Sequence, residues 1–423
     1  MPTPGARIGV FGTGTGTPLS PGARAALATA TLVVGARRHL EAAAPPPAAE
    51  RLVLGPLAPA LDRIGEQLRD PGARIVVLAS GDPGFFGITR ALTERFGPDA
   101  LDVRPGPPSV AVAFARLGLA WDDAVVVSAH GRDPRTAVNA CLAHPKVAVL
   151  TGPGTGPAEL AAGLAHSAPG RTLVVATALG DPERERLERL TPREAVARDW
   201  PDPVSVVLCL DERRALSPVR TVAGPVRTGR WALDEAEFEH RDSMITKFEV
   251  RALALARLGP RTGDLVWDIG AGSGSVAVEC ARLGAAAVAV EKAADGVERI
   301  RANAAAHGVD VRAVHGSAPE ALSALPDPDA VFVGGGGGDL PAIVTACAHR
   351  ARRTVVVALA ALDRVPEVRS ALAAAGFAAE GVLLQSSRLA PLPGGVTRLA
   401  AANPVFLLWG DRPAARANEG ANQ

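Results

Sequence analysis

VWDIGAGSGSV, residues 266–276, is the stretch that decides how the second half of this chain folds. A short apolar run, Leu265 to Trp267, leads into glycines at 270, 272 and 274, and a helix is expected from about Ser275. A buried strand breaking into a tight glycine turn before a helix is the sequence form of a nucleotide-type site. Two ligands suit such a turn, a dinucleotide or S-adenosylmethionine.

The flanking residues separate them. A dinucleotide fingerprint wants a third glycine one residue beyond Gly274, where this chain has Ser275. Asp268, two residues ahead of Gly270, would set a negative charge beside a pyrophosphate, whereas S-adenosylmethionine brings an ammonium and a sulfonium. Glu291 ends the next apolar run, AVAVE, about 20 residues on, where a carboxylate can accept ribose hydroxyls. Gly316, Ser317 and Ala318 follow a third run and offer small residues and backbone amides to an adenine. The full pattern of Asp268, glycine turn, acidic strand end and G-S-A points to a class I methyltransferase; the glycines alone would not.

Working outward, apolar runs continue on both sides. VRAVHG, AVFVGG, TVVVALA and PVFLLWG join LVWDIG and AVAVE to make six strands alternating with helices, an open α/β domain over 240–411. Upstream, RIGVFG, TLVVGA, RIVVLASG, VVVSAHG, KVAVLTG, TLVVATALG and VSVVLCLD are rich in Val, Leu and Ile and end in small residues. They read as strands of mostly parallel sheets with ligand loops at their carboxyl ends, in a first domain over 1–212. The charged, proline-bearing stretch 213–239 reads as a linker and 412–423 as a polar tail. The fold class expected is thus α/β throughout.

Composition narrows the partners. With 45 Lys+Arg against 44 Asp+Glu in 423 residues, the net charge of +1 gives no footprint for nucleic acid. NPVF at 403–406 resembles the NPPY-type motif of amino-methylating nucleic-acid enzymes, but it opens the last strand instead of ending the fourth. No stretch reaches the roughly 18 uninterrupted apolar residues of a membrane span, and no secretory leader is visible. The four cysteines stand far apart without metal-ligand spacing, so neither a metal site nor a disulfide framework is expected, and a cytoplasmic location fits.

The first half has its own glycine turn, Gly12, Gly14 and Gly16, with no acidic residue at the next strand end, so the turn by itself favours neither ligand. Longer stretches carry a resemblance. FGTGTGTPLSPGARAALATATLVVGARRHL, VLASGDPGFFGI and FARLGLAWDDAVVVSAHGR resemble the tetrapyrrole methylases of cobalamin biosynthesis, while RDSMITKFEVRALALARL, WDIGAGSGSVAVE, GSAPEAL and DAVFVGGGG resemble their class I decarboxylating partner. Together the halves resemble the fused precorrin-6Y C5,15-methyltransferase (decarboxylating) family, over nearly all of the chain except the tail.

The resemblance implies a two-lobed tetrapyrrole-methylase fold for 1–212, methylating carbon 5, and a Rossmann-like domain for 240–411, methylating carbon 15 and decarboxylating the ring C acetate to give precorrin-8x. It implies one S-adenosylmethionine per domain, a precorrin substrate and a homo-oligomer. Gly12 to Gly16 would line the substrate cleft, and Gly81, Asp82, Pro83, Phe86, Gly87, Ser109 and Thr151 would border the cofactor. The chain departs from the family where Thr177 and Ala178 precede Leu179-Gly180 and where Pro108 precedes Ser109.

A polycarboxylate substrate calls for Arg and Lys at the cleft. Arg241 and Lys247 are the candidates in the second domain, beside a helix start expected to be capped by Thr246, with His240 and Asp242 as weaker proton carriers. His130 and Arg132 are the candidates in the first, and Arg37, Arg38 and His39 form a further basic group. Two other readings compete: a methyltransferase of another planar heterocycle with a non-catalytic N-terminal module, and an NAD-dependent oxidoreductase, against which Ser275 and Asp268 speak.

Overall fold

The computed structural model describes residues 8–16, 18–201, 205–216, 223–224, 230–241 and 245–413. The chain divides into two compact units, one of Met1–Arg132, Lys146–Ala165 and Pro169–Ala223, the other of Asp133–Pro145, His166–Ala168 and Gly224–Gln423.

The first unit contains two sheets. Strands β1 (Ile8–Gly12), β2 (Leu32–Gly35), β3 (Glu50–Val53), β4 (Ile75–Ala79) and β5 (Leu101–Arg104) form a five-stranded sheet in the order β3-β2-β4-β1-β5. Every pairing is parallel, which needs crossover helices and so covers both faces. Alternate residues divide accordingly: Val10, Val34 and Val77 pack on one side with Ile64 and Leu92, and Phe11, Val33 and Leu78 pack on the other with Leu27 and Leu40. All five strands end at the same edge, which gathers the loops that follow them.

The second sheet corrects an expectation. β6 (Val125–Ser128), β7 (Lys146–Leu150), β8 (Thr172–Thr177), β9 (Arg186–Leu190) and β10 (Ser205–Leu210) lie in the order β6-β7-β10-β8-β9. Only β6 and β7 are parallel; β10 runs antiparallel to both β7 and β8, and β9 antiparallel to β8. A valine-rich strand buried on both faces reads alike in either direction, because apolar runs encode burial and not polarity. β9, with sequence RLERL, is a charged edge strand, and charge is what protects a sheet edge.

In the second unit, β11 (Leu265–Ile269), β12 (Ala286–Glu291), β13 (Val311–His315), β14 (Ala330–Val333), β15 (Thr354–Leu359), β16 (Ala378–Leu384) and β19 (Val405–Asp411) form one sheet in the order β13-β12-β11-β14-β15-β19-β16. The intervening β17 (Ser387–Pro391) and β18 (Thr397–Ala401) make a separate antiparallel pair. β19 is antiparallel to its neighbours β15 and β16. Trp267, Val288, Val331 and Val355 pack against the helices Leu340–Arg350 and Val365–Ala374; Val266, Phe332, Val356 and Trp409 pack on the opposite face against the helix Phe248–Leu258. β11 is therefore central, and chain order reverses beside it, the position where open α/β sheets bind ligands.

Candidate functional sites

The glycine turn follows β11. Gly270, Gly272 and Gly274 have φ of +69°, +56° and +72°, a region that side-chain-bearing residues rarely occupy. A Cβ on Gly270 would meet the backbone nitrogen of Gly335 at 3.1 Å, so the loop after β14 closes directly on the turn. A Cβ on Gly272 would meet nothing within 4 Å; it would project into open space, the space a ligand lying along the turn would fill.

Asp268 is 1 % exposed and accepts a hydrogen bond from Ala277 N at 3.0 Å, so it caps the helix Ser275–Arg282 from the preceding strand. Burial pushes its carboxyl up to about 7; the Ala277 amide opposes that shift and the charge of Glu291 adds to it. Glu291 ends β12 with its two oxygens accepting from Gly272 N and Ala293 N, each at 2.9 Å. A carboxylate oxygen has two lone pairs, so both retain acceptor capacity. Gly316 N donates to Glu291 O at 3.0 Å, which brings the Gly316, Ser317 and Ala318 loop after β13 to the same edge. Asp268, Glu291 and the open glycine cradle thus stand together at the carboxyl edge of the sheet.

The segment ahead of the helix Phe248–Leu258 is stitched onto this site by residues that sequence reading missed. Asn303 Nδ2 donates to Ser273 O in the glycine turn at 2.8 Å and to Glu239 O at 2.9 Å, while its Oδ1 accepts from Glu239 N at 2.7 Å. Its one signal was a lone Asn in the alanine-rich run RANAAA. Glu279, 1 % exposed, accepts from Ala232 N, Leu233 N and Arg251 Nε, and Arg251 also donates to the Thr246 and Leu233 carbonyls. Arg388, from β17, clamps Glu235 and Glu249.

This stitching carries Arg241, which is exposed and 3.9 Å from Asp295, and His240, whose buried Nδ1 has no hydrogen-bond partner. Lys247 occupies the N-cap of the helix Phe248–Leu258 and makes no side-chain cap. That position corrects the expected Thr246 cap: the Phe248 amide is satisfied instead by Glu235 Oε1 at 2.9 Å. Asp242 lies outside the described residues.

In the first unit the loops at the β1, β4 and β5 ends meet glycine against glycine. Gly81 N donates to Gly14 O at 3.0 Å and Thr13 N to Ala79 O at 2.8 Å. A Cβ on Gly106 would meet Gly14 N at 2.6 Å and the Gly12 and Gly81 carbonyls at 2.9 Å. A Cβ on Gly180, after β8, would fall inside the Thr15 carbonyl. Gly12 to Gly16, Gly81 and Gly106 thus form one backbone-walled floor. Asp82 turns its carboxylate back to accept from Gly84 N at 2.8 Å; Phe86 holds φ of +55° and is 52 % exposed. Gly87 is packed onto the Pro83 carbonyl, where a Cβ has no room, and Ser109 opens the helix Ser109–Leu117 beside Gly81.

Thr151 is buried at the end of β7. The turn that follows is fixed by Thr155 Oγ1 donating to Ala129 O at 2.9 Å, and the His130 ring lies directly over Gly152, leaving no room for a Cβ. His130 and Arg132 are both exposed. Among the described residues no group of His, Cys, Asp and Glu could hold a metal, and no helix is long and apolar enough to cross a membrane.

The central β11, the glycine cradle and the two carboxylates define a class I methyltransferase architecture in the second unit. Comparison with known proteins agrees: residues 236–410 match the family described as Precorrin methyltransferase domain, and residues 8–196 match Tetrapyrrole (Corrin/Porphyrin) Methylases. The chain is 39% identical over 327 residues to a precorrin-6Y C(5,15)-methyltransferase [decarboxylating] of Sinorhizobium sp, covering 75% of each chain. It is 37% identical over 337 residues to the protein of that name from Mycobacterium tuberculosis (strain CDC 1551 / Oshkosh), covering 79% of this chain and 81% of the relative. The solved C-terminal domain of precorrin-6Y C5,15-methyltransferase from Rhodobacter capsulatus is 36% identical, with a TM-score of 0.39 over 43% of this chain and 97% of that one. The chain belongs to the precorrin-6Y C5,15-methyltransferase (decarboxylating) family.

Proposed function

We propose that the chain performs two carbon methylations and one decarboxylation on a precorrin in cobalamin biosynthesis, with residues 1–212 acting at carbon 5 and residues 240–411 acting at carbon 15 and on the ring C acetate, to give precorrin-8x. Each domain would hold one S-adenosylmethionine, which supplies a methyl group on a positively charged sulfur. The observation that carries the reading is the constellation of Asp268, the Gly270–Gly274 cradle and Glu291 at the central strand.

Within the second domain, Glu291 would receive the ribose hydroxyls, the loop Gly316 to Ala318 would flank the adenine, and Asp268 would face the cationic end. Methyl transfer to carbon needs no nucleophilic side chain, so the chain's own task is to align the reacting carbon and exclude water. Arg241 and Lys247 would pair with substrate carboxylates, and the ties through Asn303 and Glu279 hold that segment at the glycine turn.

In the first domain, the glycines let the loops after β1, β4 and β5 pack into one floor on which a flat macrocycle would lie, and Gly81, Asp82, Pro83, Phe86, Gly87, Ser109 and Thr151 would border the nucleoside. His130 and Arg132 would line the substrate side. The stretch 213–239, expected as a linker, would lead from the first domain into the second, its residues from Ala232 on already held by Glu279 and Asn303 of the second unit.

The test is mass spectrometry of the product formed from a metal-free precorrin and S-adenosylmethionine. Two methyl groups gained and one carbon dioxide lost are expected. A single methyl gain without loss of carbon dioxide would reject the assignment.

A further inference from the structure

The basic group at residues 37–39 has no place in the scheme above, yet it lies at the carboxyl edge of the first sheet. β2 and β4 are neighbours in that sheet, so the start of the helix Arg37–Ala43 stands beside Ser80, the residue before Gly81. Arg38 Nη2 donates to Ser80 Oγ at 2.8 Å, Arg38 Nε donates to His39 Nε2 at 3.3 Å, and Ser80 Oγ lies 3.2 Å from the same His39 nitrogen. Burial first, and the Arg38 guanidinium second, hold the His39 imidazole below its ordinary pKa. A neutral ring accepting from Arg38 leaves the positive charge on the guanidinium.

Neither group that Arg38 touches is acidic, and it forms no ion pair with a carboxylate among the described residues. A guanidinium normally ends in a carboxylate or phosphate fork. Here two neutral side chains orient an exposed guanidinium next to the glycine floor without neutralising it.

We infer that Arg38 is a carboxylate-binding residue of the N-terminal site, receiving one acetate or propionate group of the tetrapyrrole, and that His39 and Ser80 are its positioning residues. This rests on the reading of residues 1–212 as a tetrapyrrole-methylating domain. The cluster contributes affinity and orientation and takes no part in bond making.

The experiment uses the full-length chain with its tetrapyrrole substrate and methyl-labelled S-adenosylmethionine, following the methylation that is not accompanied by release of carbon dioxide. Arg38→Ala is expected to raise KM for that reaction by about tenfold or more, the loss of a charge-assisted pair, with kcat within about twofold. Arg38→Lys should fall between wild type and Arg38→Ala. His39→Gln, which places an amide oxygen near the position of Nε2 and so keeps an acceptor for Arg38, should stay near the wild-type KM, whereas His39→Leu should approach Arg38→Ala, a contrast that a merely structural histidine would not give. An unchanged KM in Arg38→Ala, or equal effects of His39→Gln and His39→Leu, would overturn the inference. If the wild-type chain performs only the decarboxylating methylation, the reading of the N-terminal domain fails, and this inference with it.

Discussion

At Asp268, burial and ligand charge pull in opposite directions. Burial holds the carboxyl up at about pKa 7, and a bound ammonium or sulfonium favours the ionised form. Binding of S-adenosylmethionine below about pH 7 should therefore release close to one proton from this site, and the release should vanish at higher pH where the group is already ionised. Affinity should climb as pH rises toward 7 and then level. Calorimetry at pH 6 in buffers of different ionisation enthalpy measures the proton directly, and Asp268→Asn should abolish it while weakening binding. The stability of the fold runs the opposite way: a carboxyl with a raised folded-state pKa costs stability as pH rises from about 4 to about 7, and nothing further above that. Finding no proton release in the wild-type chain would remove Asp268 from the cationic end of the site.

Among the elements, two kinds of tie hold the sites, and they differ in how far the sequence reveals them. The turn at 270–274 was legible because backbone with φ near +60° demands glycine, which marks the sequence at that very spot. The direction of β10, the capping of Phe248 by Glu235 and the meeting of Arg38 with Ser80, 42 residues away, were not. Each depends on which strands or segments become neighbours, and apolar periodicity carries no pairing information. The buried pair of Arg251 and Glu279, side chains 0 % and 1 % exposed, belongs with these. Glu279→Ala would leave the Arg251 charge buried without its partner and free the Ala232 and Leu233 amides, so the second domain should lose about 3–5 kcal/mol in denaturant unfolding. Glu279→Gln, which keeps the shape and an acceptor, should lose less. If both variants unfold with the wild-type midpoint, the segment 230–241 is not anchored as described. The Arg388 clamp holds the Glu235 carboxyl down to about 2, so its contribution is complete above about pH 4.5 and fades as pH falls toward 2. Arg388→Ala should accordingly lower the melting temperature at pH 7 and leave it unchanged near pH 2.

For the whole molecule, the decisive quantity is the number of nucleoside sites. The two glycine turns look alike in sequence but work differently in the structure: Gly272 faces open space, whereas Gly12 is walled in by the backbone of Gly81 and Gly106. The first is a cradle beside two carboxylates and the second a floor made of backbone, so a single substitution should disable one site and spare the other. S-Adenosylhomocysteine titrated calorimetrically into the full chain should bind at two sites per chain. Asp268→Ala should remove the C-terminal site alone. Gly106→Ala inserts a Cβ 2.6 Å from Gly14 N, a contact that only backbone movement can relieve, and should remove the N-terminal site alone. The double variant should bind none. A wild-type stoichiometry of one, abolished by Asp268→Ala, would turn the N-terminal half into a binding module without a nucleoside of its own; a stoichiometry of one that survives Asp268→Ala would instead move the working site out of the class I domain.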